Sequence, residues 1–223
     1  MARLARITVP GLPHHVTQRG NGRQKVFFSD ADYALYRDLL AQHCRANVVE
    51  IWAWCLMPNH VHLLLVPNDE EGLRSALSKV HRIYAGIIHA REKKTGHFWQ
   101  GRFGSVALDE EHLLNAFCYV ALNPVRARLV ANALDWPWAS TRAYLSGEDD
   151  GVTQRAPMLS RFPDMNGMFG NPQIYDDAAF DRLRKAETIG RPLGGAAFLR
   201  SLADKMGRSL APGKPGPKRR ETN

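Results

Sequence analysis

The sequence has no long apolar run and few cysteines. No stretch approaches the roughly 18 to 20 apolar residues that a membrane-spanning helix needs, and the first residues, MARLARITVPGLPHH, lack the apolar core of a secretory signal peptide. Cys44, Cys55 and Cys118 are odd in number and show no Cys-x-x-Cys spacing, which argues against a disulfide framework or a cysteine-based zinc site. We therefore expect reduced thiols in a cytoplasmic protein.

The composition is that of an ordinary globular protein with an excess of basic residues. The chain has 223 residues, of which 44% are hydrophobic and 23% charged, and its net charge is +8. This length suits one domain with an extension, or two small domains. A basic surface attracts polyanions, of which nucleic acid is the commonest, but charge alone does not establish such a partner.

Hydrophobic periodicity predicts alternating strands and helices. Strands are predicted at 5–19, 48–58 and 60–68, with a short one within 97–109, and helices at 29–47, 70–95, 110–122 and 123–130. The last helix is expected to begin with Asn123 as its cap and Pro124 in its first turn. The order β-α-β-β-α-β-α predicts an α+β fold, a ferredoxin-like split βαβ sandwich whose antiparallel sheet has helices on one face and a free opposite face.

Residues 147–223 differ in character from the rest of the chain. They are rich in Gly, Pro and acidic residues, show two plausible helices, and end in a basic tail containing Lys214, Lys218, Arg219 and Arg220. We expect a partly disordered C-terminal extension suited to phosphate contacts. The predicted division is a domain over 1–146 and an accessory segment over 147–223 that contacts DNA.

The stretch CLMPNHVHLLLVPND places two histidines in a predicted strand. Residues two apart share one face of a strand, so His60 and His62 stand side by side while Val61 points away. Two such imidazoles can share a divalent metal ion, or they can be half-exposed polar residues. Tyr119 and Asn123, four residues apart, share a helix face and could present a hydroxyl and an amide oxygen together. Alone, Tyr119 could equally be a core aromatic residue and Asn123 a cap.

These segments together resemble the single-tyrosine HUH transposases with an IS200-like domain, and within them the REP-associated tyrosine transposases. The matching segments are PGLPHHVTQRGN, MPNHVHLLL, FWQGRF, YVALNPVRARLV and WPWASTRAY, which cover about residues 5 to 145 in the family's order. Many REP-associated members carry a Gly-Thr-x-Tyr motif that helps to read the DNA. Here that place reads Gly11-Leu12-Pro13-His14, which puts the target sequence in doubt but not the chemistry.

The resemblance implies roles for individual residues. His60 and His62 would be metal ligands, Asn123 would help to hold the metal, and Tyr119 would be the nucleophile. Family members cleave single-stranded DNA beside a hairpin with Mg²⁺ or Mn²⁺, leaving a 5′-phosphotyrosine and a free 3′-hydroxyl. The implied partner is single-stranded DNA with REP-like hairpins, and the implied location is the cytoplasm near the nucleoid. A homodimer and a monomer both remain open.

Six further residues are candidates for DNA contacts. Arg19, Arg23 and Lys25 could bind phosphates or form a solvated face, and Trp99, Gln100 and Arg102 could contact unpaired bases. The alternative for the second group is a core tryptophan beside a structural arginine. His112, on the face of Tyr119, is a conceivable extra ligand, but it fits a surface or cap residue better.

Two other functions fit parts of the sequence. A basic ferredoxin-like sheet could bind single-stranded nucleic acid without chemistry, which would need neither the histidines nor Tyr119. A metal-dependent nuclease could hydrolyse DNA while Tyr119 only packs, and it would form no covalent protein–DNA adduct.

Overall fold

Four antiparallel strands form the centre of the fold. The computed structural model describes residues 6–170, 177–207 and 210. Its strands are β1 (His14–Arg19), β2 (Val49–Met57), β3 (His60–Pro67) and β4 (Gly104–Ala107). They pair in the order β2-β3-β1-β4, which is the predicted split βαβ arrangement. The first strand is shorter than predicted, because Gly11 adopts a φ of +73° and turns the chain before Pro13.

Eight α-helices accompany the sheet in the described ranges. They are α1 (Asp30–Ala46), α2 (Gly72–Glu92), α3 (Glu110–Arg126), α4 (Thr141–Leu145), α5 (Ala156–Arg161), α6 (Met165–Gly170), α7 (Asp177–Ile189) and α8 (Ala196–Met206). None of these helices is long and apolar enough to cross a membrane. The three cysteines are buried with free thiols, as predicted. The basic residues of the tail lie outside the described residues.

Both faces of the sheet are covered by helices. The side chains of Val16, Leu63 and Leu65 pack with helices α1 and α2 on one face of the sheet. These two helices lie on a single face, as predicted. The opposite face is not free, because Leu64 and Val106 pack there with α3 and α7. Helix α7 of this second layer belongs to the C-terminal extension. The hydrophobic periodicity of that segment does not indicate that it packs on the sheet.

One predicted helix boundary is wrong. Helix α3 runs from Glu110 through Pro124 to Arg126, so Asn123 lies inside it and caps no new helix. Pro124 has no N–H group to donate to the carbonyl one turn earlier, so the last turn of α3 lacks one backbone hydrogen bond. The relation between Tyr119 and Asn123, one helical turn apart, is unchanged by this correction.

Asp32 stabilises the start of α1. Its carboxylate accepts hydrogen bonds from the backbone N–H groups of Phe28 and Ser29, at 2.8 and 3.2 Å, and pairs with Arg91 of α2. Ser29 and Asp32 form a capping box at the start of α1. Burial alone would raise the pKa of Asp32, but the Arg91 guanidinium and the two N–H groups outweigh it and lower that pKa.

We expect Asp32→Asn to reduce the free energy of unfolding by about 2 kcal/mol at neutral pH, because it removes a buried charge that three donors solvate. A lowered native pKa stabilises the fold above the unfolded-state value of about 3.9, and this contribution disappears as the pH falls through the native pKa. Urea unfolding of both proteins should therefore differ at pH 7 and converge in acid. Asp38→Asn, at an exposed pair with Arg37, is the control. Equal stability at pH 7 would contradict this account.

Candidate active site

The two histidines of the His-x-His motif lie together on the face of the sheet that α3 covers. In the register of the β1–β3 pair, His60 is opposite Arg19 and His62 is opposite Thr17. The imidazole centroids are 4.7 Å apart, with the ring planes nearly perpendicular. His62 is fully buried at 2% exposure, whereas His60 is partly exposed. Strand alternation alone predicts that they share a face.

His60 is oriented by its neighbour Asn59. The Asn59 amide nitrogen donates to the carbonyl of Arg23 at 3.1 Å, so its amide oxygen is the atom that faces His60 Nδ1, at 2.6 Å. This places a proton on His60 Nδ1 and leaves Nε2 as a lone pair. Burial and the nearby Arg19 lower the pKa of His60 to about 4, so the ring is neutral at pH 7. A neutral imidazole with a bare nitrogen is the state that binds metal ions.

His62 is in contact with a third histidine from strand β1. Its Nδ1 lies 3.1 Å from Nε2 of His15, and the two rings are nearly parallel. The Nδ1 atom of His15 lies 3.1 Å from Oε1 of Glu187 on α7. Among the described residues, the Nε2 atom of His62 has no hydrogen-bond partner. Burial, followed by His60 and His15, lowers the pKa of His62 well below its usual value.

Tyr119 of α3 meets these histidines from the helical layer. Its ring centroid is 5.2 Å from that of His62 and 5.7 Å from that of His15, with its plane nearly perpendicular to both. The side chain is 7% exposed. Burial raises the pKa of Tyr119, as does Glu187, while Arg184, a hydrogen bond with Asn123, and Arg126 lower it. The phenol is therefore protonated at neutral pH.

Helix α7 covers the tyrosine from the solvent side. Phe180 is buried with its ring 5.2 Å from that of Tyr119, and the Arg126 guanidinium lies 4.9 Å above the Phe180 ring. Arg126 also pairs with Asp177 at 2.6 Å. The C-terminal segment thus contributes directly to the surroundings of the candidate nucleophile.

An open cleft of about 320 Å³ lies beside His60. Three of the predicted DNA-contacting residues, Arg19, Gln100 and Arg102, line it together with Arg6, which stacks on Phe103 at 3.4 Å. The guanidinium groups of Arg6, Arg19 and Arg102 outnumber the one carboxylate in the lining, that of Glu187, so the cleft carries a net positive charge. Its size and charge suit a phosphate-containing chain segment.

The remaining predicted contacts lie elsewhere. Trp99 is half-buried, donates from its indole nitrogen to the carbonyl of His81 at 3.0 Å and packs among core aromatic rings, which fits the core alternative. Arg23 is exposed in a short 3-10 turn, and Lys25 lines a separate, smaller cleft. His112 lies in the first turn of α3, where its Nδ1 atom is 2.6 Å from the carboxylate of the cap residue Asp109.

Sequence reasoning missed His15, Glu187 and Arg6. His15 belongs to the quoted segment PGLPHHVTQRGN, and the pairing of β1 with β3 could have placed it diagonal to His62 once the sheet order was known. His14, its neighbour, faces the other way and is held by Leu12 and Val9 as a structural residue. Glu187 gave no signal, because nothing local in α7 indicates that this helix reaches the sheet.

The comparison with known protein families decides what kind of protein this is. The family model described as "Transposase IS200 like" matches residues 8–123, more than half of the chain. The chain belongs to this family. The matched span contains β1, β3 and α3 up to Asn123, and therefore every residue of the His60, His62 and Tyr119 cluster. The predicted family and its enzyme class are confirmed.

Individual relatives of this IS200-like transposase agree with that result. A Haemophilus influenzae protein, provisionally described as a REP-associated tyrosine transposase, is 24% identical over 124 residues, which cover 51% of this chain and 70% of that protein. The REP-associated tyrosine transposase of Escherichia coli is 26% identical over 113 residues, covering 48% of this chain and 64% of the relative. A solved structure of a REP-associated tyrosine transposase bound to a REP hairpin shares the fold, with a TM-score of 0.56, 22% identity, and coverage of 68% of this chain and 90% of that one.

Proposed function

We propose that this transposase cleaves and rejoins single-stranded DNA beside REP-like hairpins, through a 5′-phosphotyrosine at Tyr119 and with Mg²⁺ or Mn²⁺. One observation carries the proposal. The ring centroids of Tyr119 and His62 are 5.2 Å apart, next to the cleft that His60 lines. A core tyrosine needs no such neighbours, and a binding module needs no buried histidines.

The proposed chemistry is a transesterification. The Tyr119 hydroxyl oxygen attacks phosphorus, the bond from phosphorus to the 3′-oxygen breaks, the phenolic proton passes to solvent, and the departing oxygen takes up a proton. The products are a 5′-phosphotyrosine and a free 3′-hydroxyl. Because one phosphodiester replaces another, the reverse reaction can join strands. The Asn123 side chain, bonded to the Tyr119 hydroxyl, would orient it for attack.

The residues present fit a divalent metal ion. His60 and His62 are neutral, and the contacts described above leave the Nε2 atom of each ring without a hydrogen-bond partner. Asn123 would supply an amide oxygen, one helical turn from Tyr119. Such an ion polarises a phosphate and stabilises the charge that develops during the reaction. The buried surroundings strengthen that effect by excluding water.

The basic cleft would hold the DNA strand. We expect Arg19→Ala and Arg102→Ala each to weaken single-stranded DNA binding and to reduce the slope of log affinity against log salt concentration by about 0.7, the value for one lost phosphate contact. Fluorescence anisotropy over a range of salt concentrations measures both quantities. Arg82→Ala, on the opposite helical layer, is the matched control. Unchanged slopes in both cleft variants would contradict this use of the cleft.

The remaining parts of the proposal concern partners and organisation. The REP hairpin bound by the solved relative supports a hairpin substrate here. We propose that Gln100 assists DNA binding from the cleft and that Arg23 and Lys25 assist it from outside the cleft, while Trp99 supports this region by packing. We also propose that the segment 147–223 is accessory to the domain over 1–146. A cytoplasmic location near the nucleoid is a further prediction, and this function is compatible with both a monomer and a homodimer.

Labelled oligonucleotides test the proposed function. Hairpin-containing single strands, labelled at either end, are incubated with the full chain and Mn²⁺ and separated on a denaturing gel. A band in which the label on the 3′ side of the cut migrates with protein is the expected result. Cleavage without such a band would favour a hydrolytic nuclease, and metal-independent binding without cleavage would favour a binding module.

A further inference from the structure

The contact between His15 and Glu187 has a consequence for the metal ligand His62. His15 is fully buried on β1, and Glu187 reaches it from α7, so the three side chains come from three separate elements. Buried imidazoles have two neutral tautomers, and the partners of one ring nitrogen decide which nitrogen carries the proton.

Glu187 determines which ring nitrogens of His15 and His62 carry a proton. A carboxylate oxygen only accepts, and a nitrogen lone pair facing it at 3.1 Å would be repelled, so His15 Nδ1 carries a proton. The contact is short but bent, since neither atom has a fully aligned hydrogen bond among the described residues. In neutral His15 the Nε2 atom is then a lone pair. It can only accept from His62 Nδ1, 3.1 Å away.

We infer that Glu187 and His15 are positioning residues that fix the tautomer of His62, so that its Nε2 atom is left bare to bind a metal ion. The inference rests on the proposed metal role of His62. It explains why that atom is buried without a hydrogen-bond partner among the described residues. Asn59 orients His60 in the same way from the other side, so both rings present Nε2.

Direct ligation by the same three residues is the competing arrangement. One possible ligand atom from each of His15, His62 and Glu187 lies within 4.8 Å of the others. If His15 Nδ1 and His62 Nε2 both bound one ion, each ring would carry its proton on the nitrogen facing the other ring. Two N–H groups would then oppose each other at 3.1 Å, which is repulsive. The observed contact therefore favours orientation over direct ligation through these atoms.

Nuclear magnetic resonance of the metal-free full chain, labelled with ¹⁵N at histidine, reads the tautomers directly. Peaks are assigned with the variants His15→Phe and His62→Gln. We expect protonated Nδ1 and bare Nε2 for both His15 and His62. A protonated Nε2 on His62 in the wild type would overturn the inference, whatever the enzyme does with DNA.

Mn²⁺ binding, followed by electron paramagnetic resonance, gives the second readout. We expect His15→Phe, which removes the acceptor for His62, to weaken binding by roughly 10- to 100-fold, as loss of outer-sphere partners generally does. His15→Gln, whose amide oxygen can accept at the Nε2 position, should recover part of that loss. Glu187→Gln should weaken binding by about tenfold, because an amide can donate to His15 and reverse the proton order. Glu70→Gln, exposed on the surface, is the control.

The outcomes separate this inference from the proposed function. A Tyr119–DNA adduct together with wild-type Mn²⁺ affinity in both His15→Phe and Glu187→Gln would overturn the inference and leave the function intact. The expected tautomers without any adduct would do the reverse. If His15→Gln loses as much affinity as His15→Phe while the wild-type tautomers are not those expected, direct ligation is supported and positioning is contradicted.

Discussion

Replacing Tyr119 by phenylalanine is expected to abolish covalent attachment to DNA and strand cleavage, while the affinity for hairpin DNA changes by less than about twofold. The hydroxyl is the atom that would bond to phosphorus, and no other tyrosine among the described residues packs against His62. The substitution removes only the hydroxyl group and keeps the ring that packs on Phe180, so the fold should be retained. Electrophoresis for the adduct and fluorescence anisotropy for affinity measure the two effects separately.

Tyr33→Phe is the matched control for that variant. Tyr33 is also buried, at 8% exposure, but it stacks on Phe27 on the opposite side of the sheet. It should cleave like the wild type. A covalent adduct that persists in Tyr119→Phe would contradict the assignment of the nucleophile, and loss of DNA binding in that variant would show that the hydroxyl serves recognition instead.

Replacing His62 by glutamine is expected to reduce cleavage by at least about 100-fold, because a bound metal ion contributes several kcal/mol to charge stabilisation during phosphoryl transfer. His60→Gln should show a loss of similar order, and a large excess of Mn²⁺ should not readily restore either variant. Single-turnover cleavage rates over a range of Mn²⁺ concentrations measure this effect, and chelation by EDTA should stop the wild-type enzyme reversibly.

His97→Gln, which removes an exposed histidine outside the site, controls for nonspecific effects of the substitution. Wild-type rates in both His60→Gln and His62→Gln would rule out the metal role of the pair. A loss in His62→Gln alone would instead indicate that His60 only lines the cleft.

Much of this site was accessible from the sequence because its signals are local. Alternation along β3 puts His60 and His62 on one face of the strand, and helical spacing puts Tyr119 and Asn123 on one face of the helix. Both placements are independent of the rest of the chain. Only the register of the β1–β3 pair and the packing of α3 bring these two pairs together, and the periodic pattern predicts the strands without their register. The order of elements supplied the sheet topology but not the number of covered faces.

The parts that sequence reasoning missed all depend on contacts between distant segments. His15 reaches His62, 47 residues later in the sequence, only because β1 pairs with β3. Glu187 reaches the site only because α7, a helix of the extension, packs on Tyr119. The predicted boundary at Asn123-Pro124 is wrong because proline is typical of the first turn of a helix, whereas α3 continues through Pro124 without that residue's N–H donor. The domain boundary predicted near residue 146 stays a prediction. Helix α7, which lies after that boundary, packs against β4 and α3.

The most direct test of the account identifies the residue that becomes linked to DNA. The full chain is incubated with Mn²⁺ and a hairpin-containing single strand, digested with protease and nuclease, and the peptides are sequenced by tandem mass spectrometry. The account predicts a 5′-phosphonucleotide on Tyr119, found in the wild type and absent from Tyr119→Phe. A nucleotide on another residue, or efficient cleavage with no modified peptide at all, would contradict it.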